Sequence, residues 1–332
     1  MGRFQMRCEL AARACCWLVL AAVLGGLTGG QALAQVEQVT AEPAKTASVR
    51  IVFVGDVMLG RAPGEAIARG EDPFADLATI LKDADLTVGN LECVVATCGE
   101  PVPKPVNLRA GPACIPLLQR YFSAVSVANN HSGDYGPEAL VEQLTLLESA
   151  KVPYFGGGRN RKEAHRPLIL ERNGLRVAIL GYNDVIPPSF EAGDDRPGTA
   201  WLRPVDVIAG IKAARDVDHA DLVIPMPHWG LENKPHPEEY QRVLARNMID
   251  AGADAVIGGH AHVTQTVELY KGRPIVYSLG NFVFDWRIPG PPMVSWIVRL
   301  TLSNSAPPEM EIFVATVDRT DGFPRLSAKP KK

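Results

Sequence analysis

Short apolar runs that end directly in metal-ligand residues constrain the fold of this sequence more than any other feature. The clearest is 253–257, which Gly252 opens and which Gly258-Gly259-His260-Ala261-His262 follows. A short run that ends in β-branched residues is typical of a buried strand. In an extended segment alternate side chains share a face, so His260 and His262 would address one small volume. Neutral imidazole binds divalent transition metals, although an isolated pair of this kind is equally typical of a polar loop.

Four other apolar runs also end in polar residues of the kind that bind metals. The predicted strands cover residues 49–54, 86–88, 124–128 and 222–226. The polar residues that follow them are Asp56; Asn90 and Glu92; Asn130 and His131; and His228. Open α/β sheets bind ligands beyond the carboxyl ends of their strands, so this recurrence favours one shared site. Taken alone, Asp56 would be more typical of a turn or helix cap.

Helical and extended segments alternate along most of the chain, which predicts one α/β domain over residues 49–320. Apolar residues at helical spacing predict helices over 73–82, 137–150, 204–217 and 237–251. Asn173-Gly174 predicts the turn of a hairpin. Further strands are predicted within 168–180 and at 152–155, 265–270, 274–279, 294–300 and 310–317. The irregular insertion 182–203 is predicted to be a surface loop beside the site.

The first 34 residues have the pattern of an export signal. Arg3, Arg7 and Arg13 precede the apolar stretch 15–24, and Ala32-Leu33-Ala34 provides a cleavage site. An uncleaved membrane anchor is the alternative, but the strongly apolar part is shorter than the roughly 18 residues that span a bilayer. We therefore predict a protein exported to the periplasm or the cell exterior. Residues 35–48 are predicted to be a linker and 321–332 a flexible tail.

Composition and charge exclude one class of partner. The chain has 332 residues, of which 46% are hydrophobic and 21% charged, as in ordinary globular proteins. The formal net charge is −3. Nothing in the sequence is basic enough to follow a phosphate backbone, so we predict no nucleic-acid partner.

Residues 93–112 form a long loop with four prolines, which is more typical of a functional loop than of a simple connection. Lys104 and Arg109 within it are candidates to bind an anionic substrate, although surface charges need no function. The cysteines that follow the export signal are Cys93, Cys98 and Cys114. In an oxidising compartment one pair would form a disulfide, and the sequence does not select the pair. Zinc ligation by these cysteines is the weaker alternative, because their spacing lacks a C-x-x-C pattern.

The residues at the strand ends suit one or two divalent ions. Two carboxylates, an amide oxygen and three imidazoles favour Mn, Fe or Zn, and they outnumber the ligands of one tetrahedral ion. Two ions a few ångströms apart would clamp a phosphoryl or carbonyl oxygen and activate a water. His131 would then act as an acid or stabilise the transition state, and Asp134 would orient it.

With these motifs the sequence resembles the CapA family of poly-γ-glutamate capsule biosynthesis proteins, whose fold is similar to that of calcineurin-like metallophosphoesterases. The matching motifs extend from residue 51 to about 285 and are Gly55-Asp56-Val57-Met58-Leu59-Gly60-Arg61, Asn90-Leu91-Glu92, Ala128-Asn129-Asn130-His131, His228-Trp229-Gly230, Gly258-Gly259-His260-Ala261-His262 and Ser278-Leu279-Gly280-Asn281-Phe282. The resemblance implies an α/β fold, a four-layer αββα sandwich with two mixed sheets flanked by helices.

The resemblance also implies roles for individual residues. Asp56 and His262 would bind one ion, and Asn130, His228 and His260 would bind the other. Glu92, or Asn90, would lie between the two ions. Asn281, in the last matching motif, joins Lys104 and Arg109 as a predicted substrate-binding residue.

Two positions depart from the dinuclear phosphoesterase pattern. Such enzymes usually carry Asp-x-His in their first motif, and here Met58 occupies the histidine position. Their second motif usually supplies an aspartate after glycine, and here Asn90 stands there with Glu92 two residues further on. Both departures are characteristic of CapA-like proteins and weaken the predicted first ion site.

Three functions follow from the sequence. The first is an exported, metal-dependent hydrolase that cleaves an amide or phosphoester bond in the synthesis, release or tethering of an anionic extracellular polymer. Its partners would be that polymer, poly-γ-glutamate or another surface polymer, and the capsule synthesis or export machinery. The alternative is a non-enzymatic accessory that binds the polymer through its metal, which Met58 favours. A periplasmic phosphoesterase is the third.

Overall fold

The computed structural model describes residues 47–286 and 293–331. Its strands are β1 (Ser48–Val57), β2 (Leu86–Leu91), β3 (Val94–Val95), β4 (Arg109–Ala110), β5 (Ala124–Ser126), β6 (Tyr154–Phe155), β7 (Gly157–Gly158), β8 (Leu168–Arg172), β9 (Leu175–Asn183), β10 (Gly198–Thr199), β11 (Leu222–His228), β12 (Val256–Ile257), β13 (Val267–Tyr270), β14 (Arg273–Val276), β15 (Asn281–Val283), β16 (Met293–Ser303), β17 (Glu309–Val317) and β18 (Pro324–Lys331). Its α-helices are α1 (Arg61–Ala68), α2 (Ala78–Lys82), α3 (Ile115–Tyr121), α4 (Gly136–Ser149), α5 (Arg161–Ala164), α6 (Pro204–Asp216) and α7 (Glu239–Asp250).

The first sheet is mixed and has the order β18-β17-β16-β1-β2-β5-β6, with β15 pairing the end of β1. Strands β1, β2, β5 and β6 run parallel, as crossover connections through helices require. Strands β16, β17 and β18 continue the sheet in antiparallel order. The carboxyl ends of the parallel strands therefore meet at one edge, next to β15.

The second sheet is also mixed. Its first part has the order β11-β9-β8, with β9 and β11 parallel, and its second part has the order β12-β14-β13. A parallel bridge between His228 and Gly259 joins the two parts. This bridge places the end of β11 beside the glycine-histidine motif that follows β12.

The hydrophobic core lies in three layers. Between the sheets, Ile51 and Phe53 of β1 belong to one buried cluster with Ile179 of β9 and Ile224 of β11. A second cluster covers the outer face of the first sheet and includes Leu144 of α4. A third cluster covers the outer face of the second sheet and includes residues of α6 and α7. Helices therefore flank two packed sheets, which confirms the predicted four-layer αββα sandwich.

Several local predictions were wrong. Residues 324–331 of the predicted flexible tail form β18, which pairs with β17, because backbone hydrogen bonding to a sheet edge overrides their polar composition. Helix α1 was not predicted, since Pro63 and Gly64 conceal its helical spacing. The predicted helix 73–82 begins as a 3₁₀ turn at Ala75–Leu77, where the Asp72 carboxylate accepts a hydrogen bond from the Phe74 backbone N–H.

The predicted disulfide is also absent from the described residues. All three cysteines there are free thiols. Cys93 and Cys114 are buried, and burial raises the pKa of Cys93 to about 12. Cys98 is exposed. Two of the thiols are therefore packed as small apolar groups.

The predicted export signal, 1–34, and residues 35–46 of the predicted linker lie outside the described residues. Within the residues that are described, no helix has the length and apolar character needed to cross a membrane.

Candidate metal centre

Strand register brings the predicted site residues to one edge of the first sheet. Asp56, in β1, lies opposite Asn90 of β2 on one side and Asn281 of β15 on the other. The second sheet contributes His228, the last residue of β11, and the motif after β12. The site therefore lies where the carboxyl ends of strands from both sheets converge.

Glu92 occupies the middle of this convergence. Its side chain is fully buried, and neither carboxylate oxygen accepts a hydrogen bond from any described residue. His228 Nε2 lies 3.5 Å and His131 Nε2 4.0 Å from Oε1. Burial opposes ionisation, but the charges of His262 and His228 outweigh it and hold the pKa of Glu92 below its usual range. A buried carboxylate without hydrogen bonds fits a bound cation.

Two groups of potential ligand atoms share Glu92. Asp56 and His262 form one group with it, and His228 and His260 form the other, with all ligand atoms of a group within 4.8 Å of one another. Asn130 Oδ1 lies 2.9 Å from His228 Nε2 and so adjoins the second group. The structure thus brings all six predicted ligands into one buried cluster, and their chemistry fits one or two divalent ions.

Asp56 and Asn90 are already hydrogen-bonded within the cluster. The Asn90 side-chain amide donates to Asp56 Oδ1 at 2.8 Å, and the His260 backbone N–H donates to Asp56 Oδ2 at 3.3 Å. Burial, followed by the charge of Glu92, raises the pKa of Asp56 to about 7. Glu92 and Asn90 are the two residues predicted to lie between the ions, and of these Glu92 belongs to both groups of ligand atoms. Asn90 instead holds Asp56 in place.

The two imidazoles of the glycine-histidine motif converge by a route that the sequence did not predict. His260 and His262 have φ angles of +86° and +56°, so their backbone is left-handed and not extended. Their ring centroids lie 5.8 Å apart. A Cβ on Gly258 would lie 2.1 Å from the Tyr277 carbonyl oxygen, and one on Gly259 would lie 3.0 Å from Asp56 Oδ1. The glycines allow this close approach of backbone to ligand.

The two histidines also differ in protonation. Burial, together with the charges of His228 and His262, lowers the pKa of His260 well below its ordinary value. Its Nδ1 has no hydrogen-bond partner among the described residues. Burial also opposes the charged form of His262, but Glu92 and Asp56 outweigh it and raise its pKa. His260 is therefore a neutral imidazole with a free nitrogen, whereas His262 retains its proton more strongly.

His131 is held by a buried network beside the cluster. Its Nδ1 lies 2.6 Å from Asp134 Oδ2, which also accepts a hydrogen bond from the Leu108 backbone N–H. The Lys104 ammonium lies 2.5 Å from Asp134 Oδ1 and donates to the Asn130 carbonyl at 2.7 Å. With Nδ1 held by a hydrogen bond to Asp134, His131 presents Nε2 towards Glu92, 4.0 Å from its Oε1. His131 and Asp134 are therefore in direct contact, and the orienting role of Asp134 stays a prediction.

The structure places the three predicted substrate-binding residues in different surroundings, and their roles stay predictions. Asn281 is fully buried, with Oδ1 2.7 Å from His262 Nδ1 and its amide donating to the Met293 sulfur, so it orients His262. Arg109 stacks over Tyr135 at 4.1 Å and is not among the described residues that line the groove above the cluster. Lys104 does line that groove, but its charge is paired with Asp134.

That groove, of about 640 Å³, opens above the cluster. Asn130, His131 and His260 line its inner end. Its walls come from three loops, 102–106, 185–190 and 231–232. The second of these belongs to the insertion 182–203, which confirms the prediction that the insertion lies beside the site.

Sequence reasoning missed two residues. Asn129 is fully buried and links the segment after β5 to β2, because its amide donates to Asn90 Oδ1 while its Oδ1 accepts from the His131 backbone N–H. Glu232 lies with His260 and His262 in a third group of potential ligand atoms, and it is exposed at the groove. Its position four residues after His228, in the same loop, was the available signal.

Two solved structures align with this chain at low sequence identity. The chain is 13% identical to Haemophilus influenzae NAD nucleotidase (NadN), with a TM-score of 0.47 over 86% of this chain and 54% of that one. It is 13% identical to Thermus thermophilus sulfate thiohydrolase SoxB, with a TM-score of 0.44 over 76% of this chain and 42% of that one.

Sequence comparison gives a closer relationship. The chain is 36% identical over 246 residues to the Bacillus anthracis capsule biosynthesis protein CapA, and 35% identical over 239 residues to the Bacillus subtilis PGA biosynthesis protein CapA. These matches cover 71% and 70% of this chain, and 59% and 62% of the relatives, so the chain spans about three fifths of their length. A probable polyglutamine synthesis accessory protein of Mycobacterium tuberculosis is 31% identical over 67% of this chain and 59% of its own length.

The family model described as the bacterial capsule synthesis protein PGA_cap matches residues 50–286. That range contains every residue of the buried cluster and of the His131 network. The chain therefore belongs to the PGA_cap family of bacterial capsule synthesis proteins, as its resemblance to CapA implies.

Proposed function

We propose that the protein is an exported, metal-dependent hydrolase that cleaves an amide or phosphoester bond during synthesis, release or tethering of a capsular polymer. The observation that carries the proposal is the Glu92 carboxylate. It is fully buried, lies between two groups of potential ligand atoms, and accepts no hydrogen bond from any described residue. Burial of a carboxylate costs several kcal/mol unless positive charge compensates it, and a divalent cation held by the two groups would supply that charge.

In this proposal the cluster would hold two ions. Asp56 and His262 would bind the first ion, and Asn130, His228 and His260 the second, with Glu92 shared between them. Mn, Fe and Zn suit this mixture of imidazole, carboxylate and amide ligands. When bound, the ions would polarise a phosphoryl or carbonyl oxygen and activate water.

His131 supplies the proton of the reaction in this proposal. Asp134 accepts the Nδ1 hydrogen, and Lys104 holds Asp134 in place. His131 Nε2 faces the cluster and, in its protonated form, donates to the leaving group as the bond breaks. Asn129 fixes the His131 backbone, so the imidazole keeps one orientation.

Family membership supports a role in the synthesis of a capsular polymer, and the N-terminal sequence supports export of the protein. The relatives named above are capsule, PGA or polyglutamine synthesis proteins. Arginines, an apolar stretch and Ala32-Leu33-Ala34 are typical of an export signal.

A turnover assay tests the proposal. The protein would be stripped with chelator, reloaded separately with Mn, Fe or Zn, and assayed on γ-glutamyl anilides and aryl phosphates. We expect metal-dependent release of product, reduced about 100-fold or more by His131→Gln. His219→Gln, a change outside the cluster, is the matched control and should retain full activity. Turnover that is unaffected by chelation would contradict the proposal.

One observation favours a second function, binding of the polymer without turnover. Met58 stands where dinuclear enzymes usually place a histidine, and its buried sulfur accepts a hydrogen bond from the Gly60 backbone N–H. This motif therefore supplies no imidazole to the first ion. Saturable, metal-dependent binding of polyglutamate with no product in the turnover assay would support this second function.

A further inference from the structure

The rim of the groove exposes large apolar side chains on three separate loops. Val106, Ile186 and Leu231 are 48%, 75% and 51% exposed, respectively, and all three line the groove. Pro105, Pro187 and the buried Phe190 line the same walls. Exposed apolar groups scattered singly are ordinary, but three that converge on one concave site indicate a ligand surface.

The charges of the groove do not suit a polyanion. Among the described residues that line it, Lys104 is the only lysine or arginine, and its ammonium pairs with Asp134. Glu232, at the rim, adds a negative charge. A chain of successive carboxylates would meet apolar walls and one carboxylate, with no unpaired cation to bind it.

The inner end of the groove is polar, in contrast to its apolar walls. Asn130, His131 and His260 lie there, and two of them belong to the proposed second ion site. A ligand that fills both regions therefore carries one anionic group at its inner end and an apolar chain behind it.

We propose that the groove binds an amphiphilic anion, with its single anionic head at the ion cluster and a hydrocarbon chain along the apolar walls. The position of the head rests on the metal centre of the proposed function, whereas the position of the chain rests on the groove alone. Within capsular polymer synthesis, the substrate class would be a phosphate or carboxylate derivative that bears an alkyl or acyl chain.

Binding of alkyl phosphates to the Mn-loaded protein tests the proposal. Octyl phosphate and butyl phosphate share a head and differ by four methylenes, and each buried methylene strengthens binding about fourfold. We expect octyl phosphate to bind about 50-fold more tightly than butyl phosphate by titration calorimetry, as burial of about three methylenes predicts. Octyl glucoside, which lacks the anionic head, should bind far more weakly.

Variants of the rim separate the groove from the ion cluster. Ile186→Ser with Leu231→Ser should reduce the octyl-to-butyl ratio below about 10 and leave butyl phosphate binding unchanged. Val217→Ser is the matched control, since Val217 is 71% exposed and does not line the groove, and it should keep the full ratio.

Other outcomes overturn the inference. The inference fails if octyl phosphate and butyl phosphate bind equally tightly, or if neither of them binds. It also fails if octyl glucoside binds as tightly as octyl phosphate. Elemental analysis of the same samples reports separately on the proposed function: bound metal without a chain-length effect rejects only the groove ligand, and absence of metal rejects the proposed metal centre.

Discussion

The two sides of Glu92 contain similar ligands in different states. On one side, both Asp56 oxygens accept hydrogen bonds, the pKa of Asp56 is about 7, and the pKa of His262 is raised. On the other side, His260 has a lowered pKa and an Nδ1 without a partner among the described residues. An ion must displace protons on the first side, whereas His260 on the second is already neutral. We therefore expect the His228–His260 side to bind its ion more tightly.

The largest expected effect comes from the residue that both sides share. Glu92→Gln keeps the shape of the side chain but removes its charge, so both ions should be lost or bound at least about 100-fold more weakly. This loss exceeds the roughly 10- to 100-fold expected for a residue that contacts only a metal ligand. Elemental analysis and Mn titration measure this. Glu163→Gln, in the first turn of α5 and outside the groups of potential ligand atoms, is the control and should leave the metal content unchanged. Two tightly bound ions in Glu92→Gln would contradict the proposal that both ion sites share Glu92.

Single-histidine variants would separate the two sides. His262→Ala should leave one tight ion at the His228 side, and His260→Ala should leave one weak ion at the Asp56 side. We expect their remaining dissociation constants to differ by about tenfold or more, because the Asp56 side must release protons from Asp56 and His262, whereas His260 is already neutral. Calorimetric titration with Mn measures both constants. If the two variants bound equally well, the proposed asymmetry would be wrong.

Asn281→Ala tests the first ion site through a residue that is not itself a predicted ligand. Asn281 Oδ1 lies 2.7 Å from His262 Nδ1, which itself lies 3.8 Å from Asp56 Oδ2, so this contact fixes the orientation of the imidazole within the first group. Its loss should weaken the first ion about 10- to 100-fold and leave the second unchanged. Asn281→Asp should largely restore the first ion, since a carboxylate accepts the same hydrogen bond. Equal weakening of both ions would indicate a general loss of structure.

The pH dependence of metal binding gives the smallest effect. Because the pKa of Asp56 is raised to about 7, by burial and then by Glu92, the carboxyl group is mostly protonated below that pH. Affinity for the first ion should therefore rise about tenfold per pH unit below pH 7 and level off above it. The raised pKa of His262 acts in the same direction. Affinity for the second ion should change less over pH 6–8, and Mn titrations of the His262→Ala and His260→Ala variants would compare the two.

The fold could be predicted largely from the sequence because short apolar runs, typical of strands, alternate along the chain with segments whose apolar residues recur at helical spacing. Strands β1, β2 and β11 were located from local runs, and the polar residues beyond them marked one edge of the sheets. Strand β18 and helix α1 could not be located in this way. The first is stabilised by pairing to β17 and not by its composition, and the second carries Pro63 and Gly64.

For the site, residue types could be predicted but contacts could not. Lys104 and Asp134 are thirty positions apart, and their ion pair arises only when the loop 102–106 packs against the segment after β5. Asn281 reaches His262 because β15 pairs with β1, a register that no local pattern reveals. The left-handed φ angles of His260 and His262 likewise depend on the packing of Gly258 against Tyr277.

Anomalous diffraction from crystals soaked in Mn tests the central claim most directly. We expect two peaks on opposite sides of the Glu92 carboxylate, one beside Asp56 and His262 and a stronger one beside His228 and His260. At low Mn concentration the second peak should appear alone. Absence of any peak at Glu92, or Mn bound only elsewhere in the protein, would contradict the account.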